Sequence, residues 1–163
     1  MLEQSTTIHL QDDRTLAYAE YGDPGGKPVF FFHGIPGSRL FHPPDEITKK
    51  LGVRLICTDR PGSGLSTYKP GRRILDWPVD VCALGDSLKI DKFHIAGHSG
   101  GGPYTLACAY AIPERVLGAA VLCGAGPADA REALEIMSLT NQVGLLKIGT
   151  TWPLPDHFLL EHL

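Results

Sequence analysis

The sequence predicts an α/β fold in which helices flank a mostly parallel β-sheet. Short apolar runs alternate with helical patterns from residue 29 to residue 123, which is typical of consecutive βαβ units. The run Val29–Phe32 is continuously apolar, as expected of a central strand covered on both faces. The chain has 163 residues, a length that suits one domain.

The individual elements follow from apolar spacing and from turn residues. Before residue 22, two short strand-like runs flank a polar turn, which predicts a hairpin. Glycine-containing loops then separate the later elements. The predicted strands are residues 7–10, 16–21, 29–32, 53–57, 93–97 and 116–123, and the predicted helices are residues 45–51, 76–90, 103–111 and 130–139.

The helix predicted at residues 76–90 has a clear apolar face and a clear start. Its apolar residues recur at spacings of three and four, as one helical face requires. Asp76 is the predicted N-cap, and Pro78 lies in the first turn, where its missing N–H is harmless. The residues of the apolar face are Trp77, Val81, Leu84 and Leu88.

Composition and charge exclude several classes of function. Hydrophobic residues are 43% and charged residues 20% of the chain, which is ordinary for a globular protein. The net charge is −3 and no basic run occurs, so we expect no nucleic-acid partner. No apolar run is long enough to span a bilayer and no secretory signal is visible, so we expect no membrane association and a cytoplasmic location.

The four cysteines predict neither disulfides nor a metal site. All of them fall inside apolar elements, and their spacings match no zinc ligand set. We therefore expect buried free thiols, no metal and no cofactor. The cysteines are Cys57, Cys82, Cys108 and Cys123.

The turn Gly97-His98-Ser99-Gly100-Gly101 lies between a predicted strand and a predicted helix. In a G-x-S-x-G turn of this kind the serine backbone is strained, and the hydroxyl is lifted above the sheet edge. The following N–H is then free to hold an oxyanion. This predicts a nucleophilic Ser99, although a glycine-rich loop with an incidental serine stays possible. A phosphate-binding loop is disfavoured because the Lys-Ser/Thr pair and the dinucleotide-binding spacing are missing.

Three motifs, each after a predicted strand, together resemble the α/β-hydrolase superfamily. They are His33-Gly34-Ile35-Pro36, Asp59-Arg60-Pro61-Gly62-Ser63-Gly64-Leu65-Ser66 and Gly97-His98-Ser99-Gly100-Gly101. The resemblance covers residues 5–127. It implies one domain over residues 1–163, with a sheet core at 1–127 and a partial helical lid at 128–163. We expect a partial α/β-hydrolase fold that ends after the sixth strand and the start of the lid.

The resemblance also implies a chemistry for the turn. Ser99 matches the family's nucleophile, and the backbone N–H groups of Gly100 and Ile35 match its two oxyanion donors. A serine at this position implies acyl transfer, because the family's epoxide- and halide-displacing members use aspartate there. We therefore expect a serine hydrolase acting on an ester, amide, thioester or lactone of a small-molecule substrate.

Other motif residues match supporting positions of the family. His33 and Gly34 are expected beside the pocket, where His33 braces the loop rather than acting as a base. His98 is expected to pack beside the nucleophile. Asp59 and Arg60 match a turn where the family's residues are structural or lie at the pocket rim.

The family's catalytic acid and base follow the serine in chain order, and here they are hard to place. The candidate acids are Asp129 and Asp156 and the candidate bases are His157 and His162. Asp129 and His157 are the preferred pair, but no strand is predicted between them. We expect the chain to be the N-terminal part of such a hydrolase, truncated and weak or inactive. The alternative is a non-catalytic, hydrolase-like protein that binds a small molecule. The last strand should leave an open apolar edge through which the chain could self-associate.

Overall fold

The computed structural model describes residues 6–126 and shows a six-stranded sheet accompanied by three α-helices. Every strand and helix predicted within this range is present. The strands are β1 Thr6–His9, β2 Thr15–Gly22, β3 Lys27–Phe32, β4 Val53–Thr58, β5 Phe93–His98 and β6 Val116–Leu122. The helices are α1 Asp45–Lys50, α2 Trp77–Ser87 and α3 Gly102–Ala111, with 3₁₀ turns at Ile74–Asp76 and Ser99–Gly101.

The sheet has the order β1-β2-β4-β3-β5-β6. Strand β3 pairs in parallel with β4 and β5, and β5 pairs in parallel with β6. The hairpin β1–β2 joins β4 by antiparallel pairing. The prediction of a mostly parallel sheet is thus confirmed. Because parallel strands end at a common edge, the loops after β3, β4 and β5 meet there.

Strand β3 is buried on both faces, as its continuous apolar run predicts. Phe30 and Phe32 belong to the larger hydrophobic cluster, whereas Phe31 packs with Leu55 and Cys57 in a second one. Burying one such side chain stabilises the fold by about 2–3 kcal/mol. Helices α2 and α3 contribute to the larger cluster through Trp77, Val81, Leu84, Tyr104 and Cys108.

A buried ion pair connects the β1–β2 turn with helix α2. The guanidinium of Arg14 donates to both carboxylate oxygens of Asp80, at 2.9 and 2.6 Å. Arg14 is 8% exposed and Asp80 is 3% exposed. The bond to Asp80 raises the pKa of Arg14, which keeps the guanidinium charged despite its burial.

Helix α2 differs from its prediction at both ends. Asp76 occupies the N-cap position but makes no capping bond, because its carboxylate accepts the backbone N–H of Arg73 at 2.8 Å. The helix ends at Ser87 rather than at residue 90. Lys89 has φ 58°, and this left-handed conformation cannot continue an α-helix.

The apolar run of residues 116–123 is typical of a buried strand, but the side chains of β6 are mostly exposed, at the open sheet edge that the sequence predicts. Leu117 is 57% exposed and Leu122 is 48% exposed. The reason is its place at the end of the sheet: within residues 6–126, no strand pairs with its outer edge. Cys123 follows this strand and is also exposed.

The cysteine prediction is therefore confirmed only in part. All four thiols are free, and Cys57 and Cys108 are buried, where burial raises the pKa of both thiols. Cys82 is partly exposed, and its partial burial is the chief cause of its raised pKa.

Residues 6–124 lie in one compact unit. The predicted helix at 130–139 and the predicted lid at 128–163 lie outside the described residues, so both stay predictions. In the part of the chain that the structure describes, no helix combines the length and the apolar character needed to cross a membrane.

Candidate active site

Ser99 occupies a sharp turn between strand β5 and helix α3. The strand ends at His98, a 3₁₀ turn covers Ser99–Gly101, and the helix starts at Gly102. Ser99 has φ 52°, in the left-handed region that costs a non-glycine residue about 1–3 kcal/mol. Its side chain is half-buried rather than enclosed. The strained geometry expected of a nucleophile elbow is therefore present.

Two glycines make this turn possible. A Cβ at Gly97 would overlap the Thr105 hydroxyl, and a Cβ at Gly101 would overlap the carbonyl oxygen of Phe32. Any side chain at either position would separate the turn from helix α3 or from strand β3. Glycine is required here because the backbone approaches its neighbours so closely.

The loop after β3 lies directly against this turn. A Cβ at Gly34 would be 3.2 Å from the Ser99 Cβ, and a Cβ at Gly100 would be 2.9 Å from side-chain atoms of Ile35. The structure thus brings Ile35 against Ser99 and Gly100, which are far from it in sequence. Gly100 and Ile35 each carry a backbone N–H, the type of donor from which oxyanion holes are built.

His33 lies beneath this loop and is 1% exposed. Its Nδ1 is 2.7 Å from the carbonyl oxygen of Gly34. Because a carbonyl can only accept, the proton sits on Nδ1, and the 3.3 Å approach of Arg60 to the same nitrogen is proximity only. Burial, and then the charge of Arg60, lowers the pKa of His33 to about 4. A neutral, buried imidazole of this kind braces the loop.

His98 precedes the serine and contacts an aromatic side chain that sequence analysis missed. The ring of Phe41 lies 5.3 Å from the ring of His98, centroid to centroid, and is tilted by 30°. Phe41 is 50% exposed, and it also stacks on Phe31 at 6.2 Å. The available signal in the sequence was an aromatic residue in the loop after β3. Phe41 therefore supplies an apolar surface near the turn.

Asp59 ties together the loops that follow β3 and β4. Its carboxylate is fully buried. It accepts the backbone N–H of Arg39 at 2.6 Å, the Arg39 guanidinium at 2.7 Å and the N–H of Leu65 at 2.9 Å. A side chain at Gly64 would overlap this carboxylate. Asp59 is thus a structural residue and does not lie at a pocket rim.

Arg60 is equally buried, with 1% of its surface exposed. Its guanidinium donates to three backbone carbonyls of the two loops around Ser99. These are the carbonyls of His33 at 2.6 Å, Gly34 at 3.0 Å and Gly100 at 3.3 Å. Burial lowers the pKa of Arg60 to about 10, so the group stays charged at neutral pH.

Ser99 thus lies in a left-handed turn between glycines, directly after a buried parallel strand. The loop that contains Gly34 and Ile35 packs against this turn. The family described as alpha/beta hydrolase fold matches residues 27–143. The chain belongs to this family.

Relatives of this alpha/beta hydrolase-fold chain have several chemistries. It is 37% identical over 121 residues to the dihydrolipoyllysine-residue acetyltransferase component of an acetoin cleaving system from Pseudomonas putida, covering 72% of this chain and 32% of that protein. It is 33% identical over 126 residues to a proline iminopeptidase from Xanthomonas citri, covering 71% and 37%. The chain thus spans about a third of the length of these curated relatives.

A solved structure that resembles this chain is that of a candidate aryl esterase from Burkholderia cenocepacia. The two chains superpose with a TM-score of 0.64 and are 30% identical, over 78% of this chain and 49% of the esterase chain.

The predicted acid and base of this hydrolase-fold chain, Asp129 and His157, lie outside the described residues, as do Asp156 and His162. Among residues 6–126, no side chain forms a hydrogen bond with Ser99, and no group of three or more His, Cys, Asp or Glu side chains could hold a metal ion.

Proposed function

We propose that the protein is a serine hydrolase that cleaves an acyl bond of a small molecule, with Ser99 as the nucleophile. The observation that carries the proposal is the strained backbone of Ser99, φ 52°, between a buried strand and a helix. Strain of this kind persists only where the surrounding structure enforces it, and it concentrates at functional sites. The adjacent Ile35 and Gly100 supply the expected donors.

The proposed reaction uses protein side chains, two backbone N–H groups and water. The Ser99 oxygen attacks the acyl carbon, its proton passes to a base, and the carbonyl π electrons move onto oxygen. The N–H groups of Ile35 and Gly100 stabilise the resulting oxyanion. The intermediate then expels the protonated leaving group, and water hydrolyses the acyl-enzyme. Asp129 and His157 are our candidates for the acid and the base.

The relatives support this reaction class without narrowing it to one substrate. A proline iminopeptidase and a candidate aryl esterase act on different bonds, as their names state. Ester, amide, thioester and lactone substrates therefore all belong to the proposal. The serine at position 99, in place of an aspartate, favours acyl transfer over epoxide opening.

A fluorophosphonate probe tests the nucleophile. In the full-length protein we expect one covalent label on Ser99, lost in Ser99→Ala and kept in Ser87→Ala, which removes an exposed serine of helix α2. Turnover of p-nitrophenyl butyrate should fall by at least about 10³-fold in Ser99→Ala, because the residual rate comes from binding and the oxyanion hole alone.

Two results would contradict the proposal in different ways. An unlabelled Ser99 with persistent turnover would place the nucleophile elsewhere. An unlabelled Ser99 without turnover, in a protein that still binds small acyl compounds, would favour the non-catalytic binding protein instead.

A further inference from the structure

Arg60 is a buried cation whose hydrogen bonds go only to backbone. Among residues 6–126, no carboxylate forms an ion pair with it, and its guanidinium carbon lies 4.9 Å from the centre of the Tyr104 ring. Fully buried arginines are rare unless they are paired. Arg60 donates to three carbonyls, which belong to the two loops around Ser99. The hydrogen bonds of this buried charge therefore connect it to the site around Ser99.

The bond to Gly34 acts on the same peptide group that carries the Ile35 N–H. The Gly34–Ile35 peptide is trans, so its C=O and N–H point in opposite directions in one plane. Arg60 Nη2 donates to that oxygen at 3.0 Å, and the neutral His33 donates to it at 2.7 Å. Both lone pairs of the oxygen are engaged, which fixes the direction of the N–H on the other side.

These bonds also strengthen the donor. A carbonyl that accepts hydrogen bonds, above all from a charged donor, polarises its peptide and makes the N–H a better donor. Arg60 also contacts the carbonyl of Gly100 at 3.3 Å. The same guanidinium therefore joins the backbone of both proposed oxyanion donors.

We propose that Arg60 is a positioning residue of the oxyanion hole, which orients and polarises the Ile35 N–H through the carbonyl of Gly34 and fixes its distance from Gly100. This inference rests on the proposed function. Arg60 is buried and does not touch substrate, so its effect should fall on transition-state stabilisation rather than on substrate binding.

Steady-state kinetics with p-nitrophenyl butyrate test the proposal. Complete loss of an oxyanion donor usually lowers kcat about 10²–10³-fold. Arg60→Met keeps the N–H but loses its alignment, so we expect kcat to fall about 10–100-fold with KM within about twofold. Arg60→Lys keeps the positive charge but loses the planar, multi-donor guanidinium, so its kcat should lie between those of Arg60→Met and the unmodified protein.

The affinity for an alkylboronic acid, which forms a tetrahedral adduct with a serine nucleophile, should fall by the same factor as kcat. Arg54→Met removes an arginine of strand β4 that pairs with Glu20 away from the turn, and it should leave kcat and boronate affinity unchanged. Unchanged kcat and boronate affinity in Arg60→Met would overturn the proposal. A loss that appears only in KM would do the same.

A second measurement does not depend on catalysis. In proton–nitrogen NMR spectra, the Ile35 amide proton should move upfield in Arg60→Lys and keep its position in Arg54→Met, because the polarising bond to Gly34 is weakened only in the former. An unmoved Ile35 resonance would overturn the inference even in an active enzyme. A shifted resonance in a protein without Ser99-dependent turnover would instead leave the positioning intact and remove the proposed hydrolase function.

Discussion

At the residue scale, His33 shows how burial and a nearby charge act in the same direction. Removal from water disfavours the imidazolium, and the Arg60 guanidinium adds a like-charge cost. The bond to Gly34 opposes both but does not outweigh them, and the pKa falls to about 4. The imidazole is therefore neutral throughout the physiological range, and it can keep donating to the loop.

This shift predicts that the free energy of unfolding decreases in acid. The unfolded chain binds a proton on His33 near pH 6.5, whereas the folded protein binds it only near pH 4. Stability from this group is thus complete above pH 6.5 and is lost as the pH falls towards 4, by about 3 kcal/mol at most. Urea denaturation at pH 7 and at pH 5 measures the loss.

The slope, rather than the absolute stability, is the informative quantity. His33→Gln should show a flatter dependence of unfolding free energy on pH between 7 and 5, whatever its stability at pH 7. His9→Gln changes an exposed histidine of strand β1 and should keep the slope of the unmodified protein. If His33→Gln kept that slope as well, another group would be responsible for it.

At the scale of elements, the Arg14–Asp80 pair joins the N-terminal hairpin to helix α2. Two charged groups that are 8% and 3% exposed have lost most of their hydration. Their two short bonds offset that loss. Such a pair contributes little net stability compared with a packed apolar pair, but removing one partner leaves a buried charge.

Asp80→Ala should therefore lower the free energy of unfolding by up to about 3–5 kcal/mol, because buried Arg14 then keeps only its 2.8 Å bond to Asp12, a carboxylate that is 50% exposed. The double variant Arg14→Met with Asp80→Leu should recover most of that loss, since neither charge remains. Urea denaturation measures all three proteins.

Arg73→Ala is the matched control for this pair. It breaks an ion pair of which the arginine is 83% exposed, and it should change stability by less than about 1 kcal/mol. A similarly small change in Asp80→Ala would show that water replaces the carboxylate and that the pair does not hold the hairpin.

At the scale of the whole molecule, the sheet has two unpaired edges in the described part of the chain, at β1 and at β6. Strand β6 ends the order of strands, and Val121 and Leu117 on it are 42% and 57% exposed. Edge strands with exposed apolar side chains tend to pair with another chain unless charges or coverage prevent it.

We propose that the 163-residue chain self-associates through β6. Sedimentation velocity should show concentration-dependent association, and Leu117→Lys with Val121→Lys should shift the distribution towards monomer, since charges block edge pairing. Leu75→Lys alters a residue of similar exposure, 55%, in the 3₁₀ turn before α2, and it should not. A chain that is monomeric at all concentrations would contradict the proposal.

Local pattern was sufficient to predict the alternating elements, the parallel sheet and the serine turn. Strand β3 was predicted from an unbroken apolar run, because a strand buried on both faces cannot carry polar residues on either. The turn at Ser99 was predicted from glycines, because only glycine permits the close backbone contacts seen at Gly97 and Gly101. Such features depend on short-range sterics and on hydrophobic burial, and residues close together in sequence are sufficient to predict both.

Tertiary contacts were needed for the roles of the charged residues and for the exposure of the last strand. Asp59 and Arg60 are neighbours in one motif, yet Asp59 holds the Arg39 loop while Arg60 holds the carbonyls around Ser99. Strand β6 is as apolar as a buried strand, and the sequence predicts its place at an open sheet edge, but the exposure of each side chain depends on what packs against it. Partner choice and strand order depend on residues distant in sequence, so no local pattern contains them.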